Sequence, residues 1–374
     1  MSVAESVQSQ TPLSPSEALP RSMKAAVYLG EGRVAVQCIE TPAISPDEIL
    51  VRVESCGICH TDLKKIEYNL LPPPRVYGHE TAGVVARVGD RVTKYAPGDR
   101  VVVFHHIPCG DCFYCHRRLY AQCAVYKKVG VTAGYEPAGG GFSQYVRVFD
   151  WIVKRGVELI PQGVSFDQAC WVEPVNTCLK GFELLGLLAG DVVAVLGQGP
   201  IGLIFTLLAK RMGATVLATD TIDFRRSLSA RFGASAFDPH QPDFGRTIQT
   251  STGGRGADAV IVATSAPRLV EQAVEISRPG AKILLFAQTS AGERIELSGA
   301  AICAGERVLL GSYSADIDLQ AESARLVFSG ELPLEQLISD RMSLDEISHG
   351  IRLAQRPNDR SLKVVIHPQE RRHD

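Results

Sequence analysis

The turn GQGPIG at residues 197–202 limits the possible folds of this chain more than any other stretch. It fits the pattern G-x-G-x-x-G, follows the apolar run VVAVL and opens an apolar run with helical character. In this context Gly197 allows the tight turn, Gly199 lets the backbone approach a pyrophosphate, and Gly202 lets helix and strand pack closely. The free N–H groups at the start of the helix then attract phosphate. The residues predicted to bind a dinucleotide are Gly197, Gly199, Pro200, Ile201 and Gly202, and the alternative is a glycine-rich turn without a ligand.

Strand-like and helix-like runs alternate from residue 191 onward. The predicted strands are 191–197, 215–220, 257–264, 281–288 and 307–314, and the predicted helices are 201–213, 224–234 and 267–277. This alternation predicts an α/β fold with a doubly wound parallel sheet of the Rossmann type. Asp220, at the end of the second strand, is placed to bind ribose hydroxyls and to repel a 2′-phosphate, which favours NAD over NADP. The nearby cation Arg225 leaves tolerance for NADP open.

The part of the chain before residue 175 has a different sequence pattern, with short runs rich in Val and Ile. These runs are 24–29, 33–40, 48–55, 81–89 and 98–106, and turn residues separate them. Glycine and proline recur at short intervals, which favours a barrel-like β domain over βαβ repeats. The stretch from residue 315 through 362–366 is expected to return to this first domain.

Length, charge and composition restrict the class of protein. A chain of 374 residues is too long for one ordinary core, and a net charge of −2 indicates no nucleic-acid surface. Residues 1–22, rich in Ser, Pro, Gln and Glu, are predicted to be a disordered tail without the apolar middle of a secretory signal. The apolar run 192–209 contains three glycines and a proline, so no membrane span is predicted. A cytoplasmic location is therefore expected, where clustered cysteines favour metal over disulfides.

Four cysteines in the segment CGDCFYCHRRLYAQC form the strongest metal signal. They are Cys109, Cys112, Cys115 and Cys123. Four thiolates make a closed tetrahedral Zn²⁺ site, which supports folding and leaves no position for a substrate. An iron–sulfur cluster and the absence of any metal are the alternatives. A nucleic-acid zinc module is disfavoured because Arg117 and Arg118 are the segment's only arginine or lysine residues.

A second set of candidate ligands is dispersed over GICHTD (57–62), GHE (78–80) and VEP (172–174). Cys59 and His79, with Glu80 or Glu173, would give three protein ligands and an open position, as in a catalytic zinc site. Periodicity does not bring these residues together, and each of them alone is also compatible with a structural role.

The order of GHE, the four cysteines and the glycine-rich turn with its downstream Asp resembles the zinc-dependent medium-chain dehydrogenases of the alcohol dehydrogenase superfamily. GDRV (98–101), GGGFSQYV (139–146) and SLKVVI (361–366) add to this resemblance, which runs from Met23 to His367. It implies a β-rich, GroES-like catalytic domain in two chain segments and a Rossmann coenzyme domain. The implied bounds are 1–22 for the tail, 23–175 and 315–374 for the catalytic domain, and 176–314 for the coenzyme domain.

The resemblance also implies roles for single residues. Cys59 and His79 become catalytic zinc ligands, and Glu173 takes the third position, where alcohol dehydrogenases have Cys. The VEP motif resembles sorbitol and threonine dehydrogenases, in whose polyol branch the residue matching Glu80 can also bind the metal, so the direct carboxylate ligand stays undecided. Thr61 matches the family's hydroxyl relay, unless it only caps a helix. Assigned by position, His60 would finish the proton path or be merely exposed, Asp62 would orient neighbours, and Lys363 would face the cofactor phosphates or solvent.

The implied activity is hydride transfer between NAD and a secondary alcohol, namely a polyol, a vicinal diol or an amino alcohol. Two Zn²⁺ per chain are expected. A homodimer or homotetramer assembled through the sheet edge near RVLLGSYS is also expected, with neither nucleic acid nor membrane as a partner. A zinc-free quinone or enoyl reductase and a noncatalytic protein of the same fold are the alternatives.

Overall fold

A computed structural model describes residues 19–126, 130–137, 139–287 and 292–370. Residues 1–18 of the predicted tail and Gln288, in a predicted strand, lie outside this part. The strands are β1 (Ser22–Gly30), β2 (Arg33–Glu40), β3 (Ile49–Gly57), β4 (Arg75–Val76), β5 (Glu80–Val88), β6 (Arg100–Val103), β7 (Tyr145–Val148), β8 (Val157–Leu159), β9 (Val192–Leu196), β10 (Thr215–Thr219), β11 (Ser235–Phe237), β12 (Ala257–Val262), β13 (Ser277–Leu285), β14 (Val308–Gly311), β15 (Ile338–Ser343) and β16 (Lys363–His367). The helices are α1 (His60–Glu67), α2 (Asp150–Arg155), α3 (Phe166–Ala169), α4 (Val172–Leu185), α5 (Pro200–Arg211), α6 (Asp223–Arg231), α7 (Asp243–Ser251), α8 (Arg268–Ile276), α9 (Gly299–Cys303), α10 (Gln320–Phe328) and α11 (Ile347–Gln355).

The coenzyme domain contains a parallel sheet of six strands in the order β11-β10-β9-β12-β13-β14. This is the strand order of a doubly wound dinucleotide-binding sheet, and it confirms the predicted Rossmann fold. The central strands are mostly apolar because helices cover both faces of the sheet. The strand β11 and the helix α7 were not predicted, and β13 begins at Ser277, four residues before its predicted start at 281.

The first part of the chain forms a sheet of three strands, β2-β1-β4, and, together with β15 and β16 from the end of the chain, a larger mixed sheet of seven. In the larger sheet β3 pairs with β5, β7 and β16, all antiparallel. The strand β16 therefore returns from beyond the coenzyme domain to lie beside β3. The predicted run 98–106 is too long, because β6 ends at Val103 and the next residue, Phe104, already bonds to Gly156 of another segment.

The helix α4 leads from the first part of the chain into the coenzyme domain. Its buried side lies in a core that joins Ala82 and Val102 of the larger sheet to Val193 and Val195 of β9. The two domains thus share one apolar cluster. In the described part of the chain, no helix is long and apolar enough to cross a bilayer.

Candidate active site and metal centres

Cys59, His79 and Glu80 converge at one end of the strands β3 and β5. Their ligand atoms all lie within 4.8 Å of one another. Pairing of Gly57 with Glu80 in the antiparallel β3–β5 ladder brings the two motifs together, although more than twenty residues separate them. Both His79 and Glu80 are buried, and Cys59 is half-buried at the start of α1. A thiolate, an imidazole and a carboxylate at this spacing suit Zn²⁺.

Asp62 orients two of these ligands from the first turn of α1. One carboxylate oxygen accepts a hydrogen bond from Nδ1 of His79 at 3.0 Å, and the other accepts from the backbone N–H of Cys59 at 3.3 Å. Burial alone would lower the pKa of His79, but the charge of Asp62 raises it well above its ordinary value. The bond at Nδ1 leaves Nε2 of His79 to face a metal, which is the usual role of a carboxylate behind a histidine ligand.

Lys363 forms a buried ion pair with Glu80 and also donates to the carbonyl of Ile58 at 3.1 Å. Only 5 % of Lys363 and 2 % of Glu80 is exposed, so the alternative of a solvated Lys363 is wrong. Burial raises the pKa of Glu80, and the ammonium group of Lys363 opposes this rise. The strand β16 therefore supplies a positive charge that favours the ionised form of Glu80.

Glu173 lies in the first turn of α4 and is held by a histidine that the sequence analysis missed. Nε2 of His106 donates to its Oε1 at 3.0 Å, and both side chains are mostly buried. Glu173 does not belong to the group of three whose ligand atoms converge. Burial raises the pKa of Glu173, and the charges of His79 and Lys363 oppose this rise. The ring centroids of His105 and His106 lie 5.6 and 6.3 Å from the ring centroid of His79, so both histidines line the same site.

Thr61 and His60 are in the first turn of α1, next to Cys59, and both are exposed. This position places them at the solvent side of the converging ligands. Partial desolvation and the charge of Lys64 lower the pKa of His60, so its ring is neutral near pH 7.

The four cysteines of residues 109–123, here called the four-cysteine lobe, form a separate centre. The sulfur of Cys115 lies 3.5 Å from the sulfur of Cys112 and 3.8 Å from the sulfur of Cys109. The sulfurs of Cys109 and Cys123 are 3.6 Å apart. Four sulfurs bound tetrahedrally at about 2.3 Å from Zn²⁺ lie about 3.8 Å apart, whereas a disulfide joins sulfurs at about 2.05 Å. The observed spacing therefore fits a four-thiolate metal site.

Backbone groups favour the thiolate form at two of the four cysteines, Cys112 and Cys123. Burial would raise the pKa of Cys123, but the N–H groups of Cys109, Val125 and Tyr126 lower it to about 6. A hydrogen bond from the backbone of Cys115 lowers the pKa of Cys112. N–H groups directed at sulfur stabilise the deprotonated form that binds a metal.

The glycine-rich turn connects β9 to α5 as predicted. Gly197 has φ +95°, a conformation that favours glycine, and any side chain on Gly202 would collide with the carbonyl of Gly197. Gly199 caps α5, whose first residues are Pro200 and Ile201. The N–H groups at the start of α5 are thus arranged as in a phosphate-binding turn.

Asp220, at the end of β10, binds this turn by a hydrogen bond. Its carboxylate accepts hydrogen bonds from the backbone N–H of Gln198 at 2.7 Å and of Ile222 at 2.8 Å. The guanidinium group of Arg225 lies 3.9 Å from the same carboxylate and donates to the carbonyl of Ser361 at 3.0 Å. Asp220 and Arg225 therefore lie together beside the turn, and Arg225 also bonds to the segment that leads into β16.

A cavity of about 890 Å³ opens at the carboxyl ends of β12, β13 and β14. Val262, Leu285 and Leu310 line it from the sheet, Lys180 from α4 and Arg118 from the lobe. Ligands of open α/β sheets bind at this edge, and the volume suits a small organic molecule. Cys59, His79 and Glu80 do not line it, so the cavity is distinct from this candidate metal site.

Comparisons with known proteins agree with this geometry. The model of the alcohol dehydrogenase GroES-like domain matches residues 45–157, and that of the zinc-binding dehydrogenase domain matches residues 200–328. Sorbitol dehydrogenase of Bacillus subtilis is 28% identical over 94% of this chain and 98% of its own. L-Threonine 3-dehydrogenase of Pyrococcus abyssi is 32% identical over 66% of this chain and 70% of its own.

A solved structure shows the same architecture. A zinc-binding dehydrogenase from Sinorhizobium meliloti 1021, bound to NADP, superposes with a TM-score of 0.84 and 31% identity over 93% of this chain and 99% of that one. The matched domains, the relatives and the paired metal-binding motifs lead to one conclusion. The chain is an oxidoreductase of the zinc-type medium-chain dehydrogenase family, in its sorbitol and threonine dehydrogenase branch.

Proposed function

We propose that this protein transfers a hydride between NAD and a secondary alcohol such as a polyol, a vicinal diol or an amino alcohol. The observation that carries the proposal is the convergence of Cys59, His79 and Glu80 within 4.8 Å, with Glu173 nearby. Two carboxylates make this site harder and more negative than a site with two cysteines. Such a site favours substrates with a second oxygen or nitrogen that can approach the metal.

Cys59, His79 and Glu80 are the residues proposed to hold the catalytic zinc, with Glu173 as a second carboxylate beside it. Bound there, zinc would supply Lewis acidity that makes an alcohol oxygen more acidic and polarises a carbonyl. Asp62 keeps His79 in the tautomer that presents Nε2, and Lys363 compensates the charge of Glu80. The four-cysteine lobe is proposed to hold a second, structural zinc, because four sulfurs leave no open position.

Thr61 and His60 are proposed to carry the proton from the substrate hydroxyl to solvent. Their exposed position in the first turn of α1, beside Cys59, supports this role. A neutral imidazole accepts a proton at pH 7, and the lowered pKa of His60 keeps it neutral.

NAD is proposed as the coenzyme, bound at Gly197, Gly199, Pro200, Ile201 and Gly202. The carboxylate of Asp220 would repel a 2′-phosphate, which supports NAD over NADP. Arg225 lies 3.9 Å from that carboxylate and is already engaged by Ser361, so it is only partly available to a phosphate. The NADP bound to the Sinorhizobium relative makes a direct comparison of the two coenzymes necessary.

The decisive experiment tests secondary alcohols, sugar alcohols and simple primary alcohols with NAD and with NADP, following absorbance of the reduced coenzyme. We expect diols or polyols with NAD to give the highest kcat/KM and metal analysis to give two zinc per chain. Activity with simple alcohols alone would refute the substrate class. One zinc or none would favour a zinc-free reductase or a noncatalytic protein.

A variant separates metal chemistry from coenzyme binding. Cys59→Ser should abolish turnover and leave NADH binding, measured by fluorescence, largely intact. Cys38→Ser, at an exposed cysteine of β2, is the matched control and should keep full activity. Normal turnover in Cys59→Ser would rule out the zinc mechanism.

A homodimer or homotetramer is proposed to form through the edge strand β14. This strand ends the six-stranded sheet, and Val308 and Tyr313 expose 43% and 50% of their surface. Light scattering after size exclusion gives the mass, and a monomeric mass would refute the assembly.

A further inference from the structure

The residues on either side of the four-cysteine lobe form an aromatic pair that lies against the catalytic site. His106 precedes the lobe and Tyr126 follows it, and their rings stack with centroids 5.1 Å apart and planes at 25°. The hydroxyl of Tyr126 lies 2.8 Å from Oγ of Ser314 and donates to the carbonyl of Ala315 at 3.0 Å. Tyr126 is therefore fixed at both its ring and its hydroxyl.

His106 joins this pair to the carboxylate of Glu173. Nε2 donates to Oε1 of Glu173 at 3.0 Å, and Nδ1 lies 3.5 Å from Oγ of Ser314. His106 and Glu173 expose 14% and 8% of their side chains, so the bond between them is largely shielded from water. A buried carboxylate with a rigid donor has little freedom to rotate.

A second contact fixes the lobe to the segment that leaves the coenzyme sheet. Nη2 of Arg118 and the hydroxyl of Tyr120 both donate to Oδ2 of Asp318, each at 2.8 Å. The lobe is thus attached near both of its ends to residues 314–318. Its position sets that of Tyr126, and Tyr126 sets that of the His106 ring.

We propose that His106 and Tyr126 are positioning residues that orient the Glu173 carboxylate toward the catalytic metal. Through them, the four-cysteine lobe controls the geometry of the other metal centre in addition to stabilising its own loop. This inference rests on the proposed function, in which Glu173 lies beside the zinc. Loss of a partner that orients a metal-binding carboxylate typically weakens metal binding by about 10- to 100-fold.

Cobalt at the catalytic site is the probe. Protein with zinc in the lobe and Co²⁺ at the catalytic site, verified by metal analysis, reports ligand geometry through its visible spectrum, and chelator competition gives the cobalt affinity. His106→Phe keeps a stacked ring and removes the bond to Glu173. We expect a shifted spectrum and an affinity about 10- to 100-fold lower. His106→Gln, whose side-chain amide can donate to Glu173, should restore most of both.

Tyr126→Phe keeps the stacked ring and loses the hydroxyl, so we expect a smaller change in the same direction. It also carries the test if His106→Phe does not fold. Tyr95→Phe is the matched control, because Tyr95 is buried and its hydroxyl donates to the carbonyl of Val157, away from the catalytic site. It should leave spectrum and affinity unchanged.

Wild-type spectra and affinities in His106→Phe and Tyr126→Phe would overturn the positioning role. That result is distinct from failure of the proposed function, which would show as absence of alcohol-dependent NAD reduction in the wild-type protein. The cobalt measurements use the metal alone and need no substrate.

Discussion

Replacing Lys363 by methionine tests whether Glu80 is a direct metal ligand. Methionine removes the ammonium group and keeps most of the buried chain length. The partner carboxylate is then left buried, with 2 % of Glu80 exposed, and unpaired. Removing one partner of a buried ion pair costs about 3–5 kcal/mol. We expect this loss in the free energy of unfolding of the metal-free protein.

Zinc changes the expected result, because a divalent cation bound by Glu80 replaces the missing positive charge. The loss caused by Lys363→Met should therefore shrink markedly when zinc is added. The assay is guanidinium unfolding of wild-type and variant, each with chelator and with zinc. Lys363→Arg retains the charge and Arg341→Met removes an exposed one, and both serve as controls. An equal loss with and without zinc would refute direct ligation by Glu80, and no loss in the metal-free protein would refute the ion pair's contribution.

Three further predictions concern other parts of the molecule. Burial would lower the pKa of His367, but Asp167 raises it, so the pair stabilises the fold fully below the usual histidine pKa of about 6.5 and loses this contribution as pH rises through the higher folded value. The difference in unfolding midpoint between wild-type and His367→Gln should accordingly be larger at pH 6 than at pH 9, and an equal difference would contradict the pair's titration. Cys112→Ser should lower the metal content to one zinc per chain, and it should lower the melting temperature more strongly than it slows the chemical step. Two zinc per chain would contradict the four-thiolate site. Asp62→Asn should weaken catalytic metal binding about 10- to 100-fold in chelator competition, and unchanged affinity would rule out its orienting role.

The coenzyme domain was the most predictable part of the chain. Its central strands are buried on both faces, so each appears as an apolar run, and GQGPIG indicates where the first strand ends. The prediction failed for β11, which has three residues, and for α7, whose sequence DFGRTIQTS is largely polar. Short or polar elements owe their structure to the neighbours they pack on, which periodicity does not reveal.

The metal centres differ in predictability. Sequence spacing alone indicated the four-cysteine lobe, because its ligands are local. Cys59 and His79 are brought together by the β3–β5 ladder, a long-range pairing that only the family resemblance anticipated. His106 carried no signal beyond its position just before the first cysteine of the lobe. For Lys363 the sequence left the cofactor phosphates and solvent as alternatives, because an isolated lysine is normally solvated and its burial depends on a carboxylate more than two hundred residues away.

The return of β16 to the side of β3 has a consequence for the order in which the protein forms. The ribosome completes β3, β5 and the metal ligands first, and then makes the whole coenzyme domain before residues 363–367 appear. Until then Cys56 and Gly57 at the end of β3 lack their pairing with β16, and Glu80 lacks its counter-charge. Long-range pairing of this kind is slow, and it leaves an unpaired strand edge exposed. The candidate catalytic site is therefore among the last regions of the molecule to reach its final structure during synthesis, after the coenzyme domain has its full sequence.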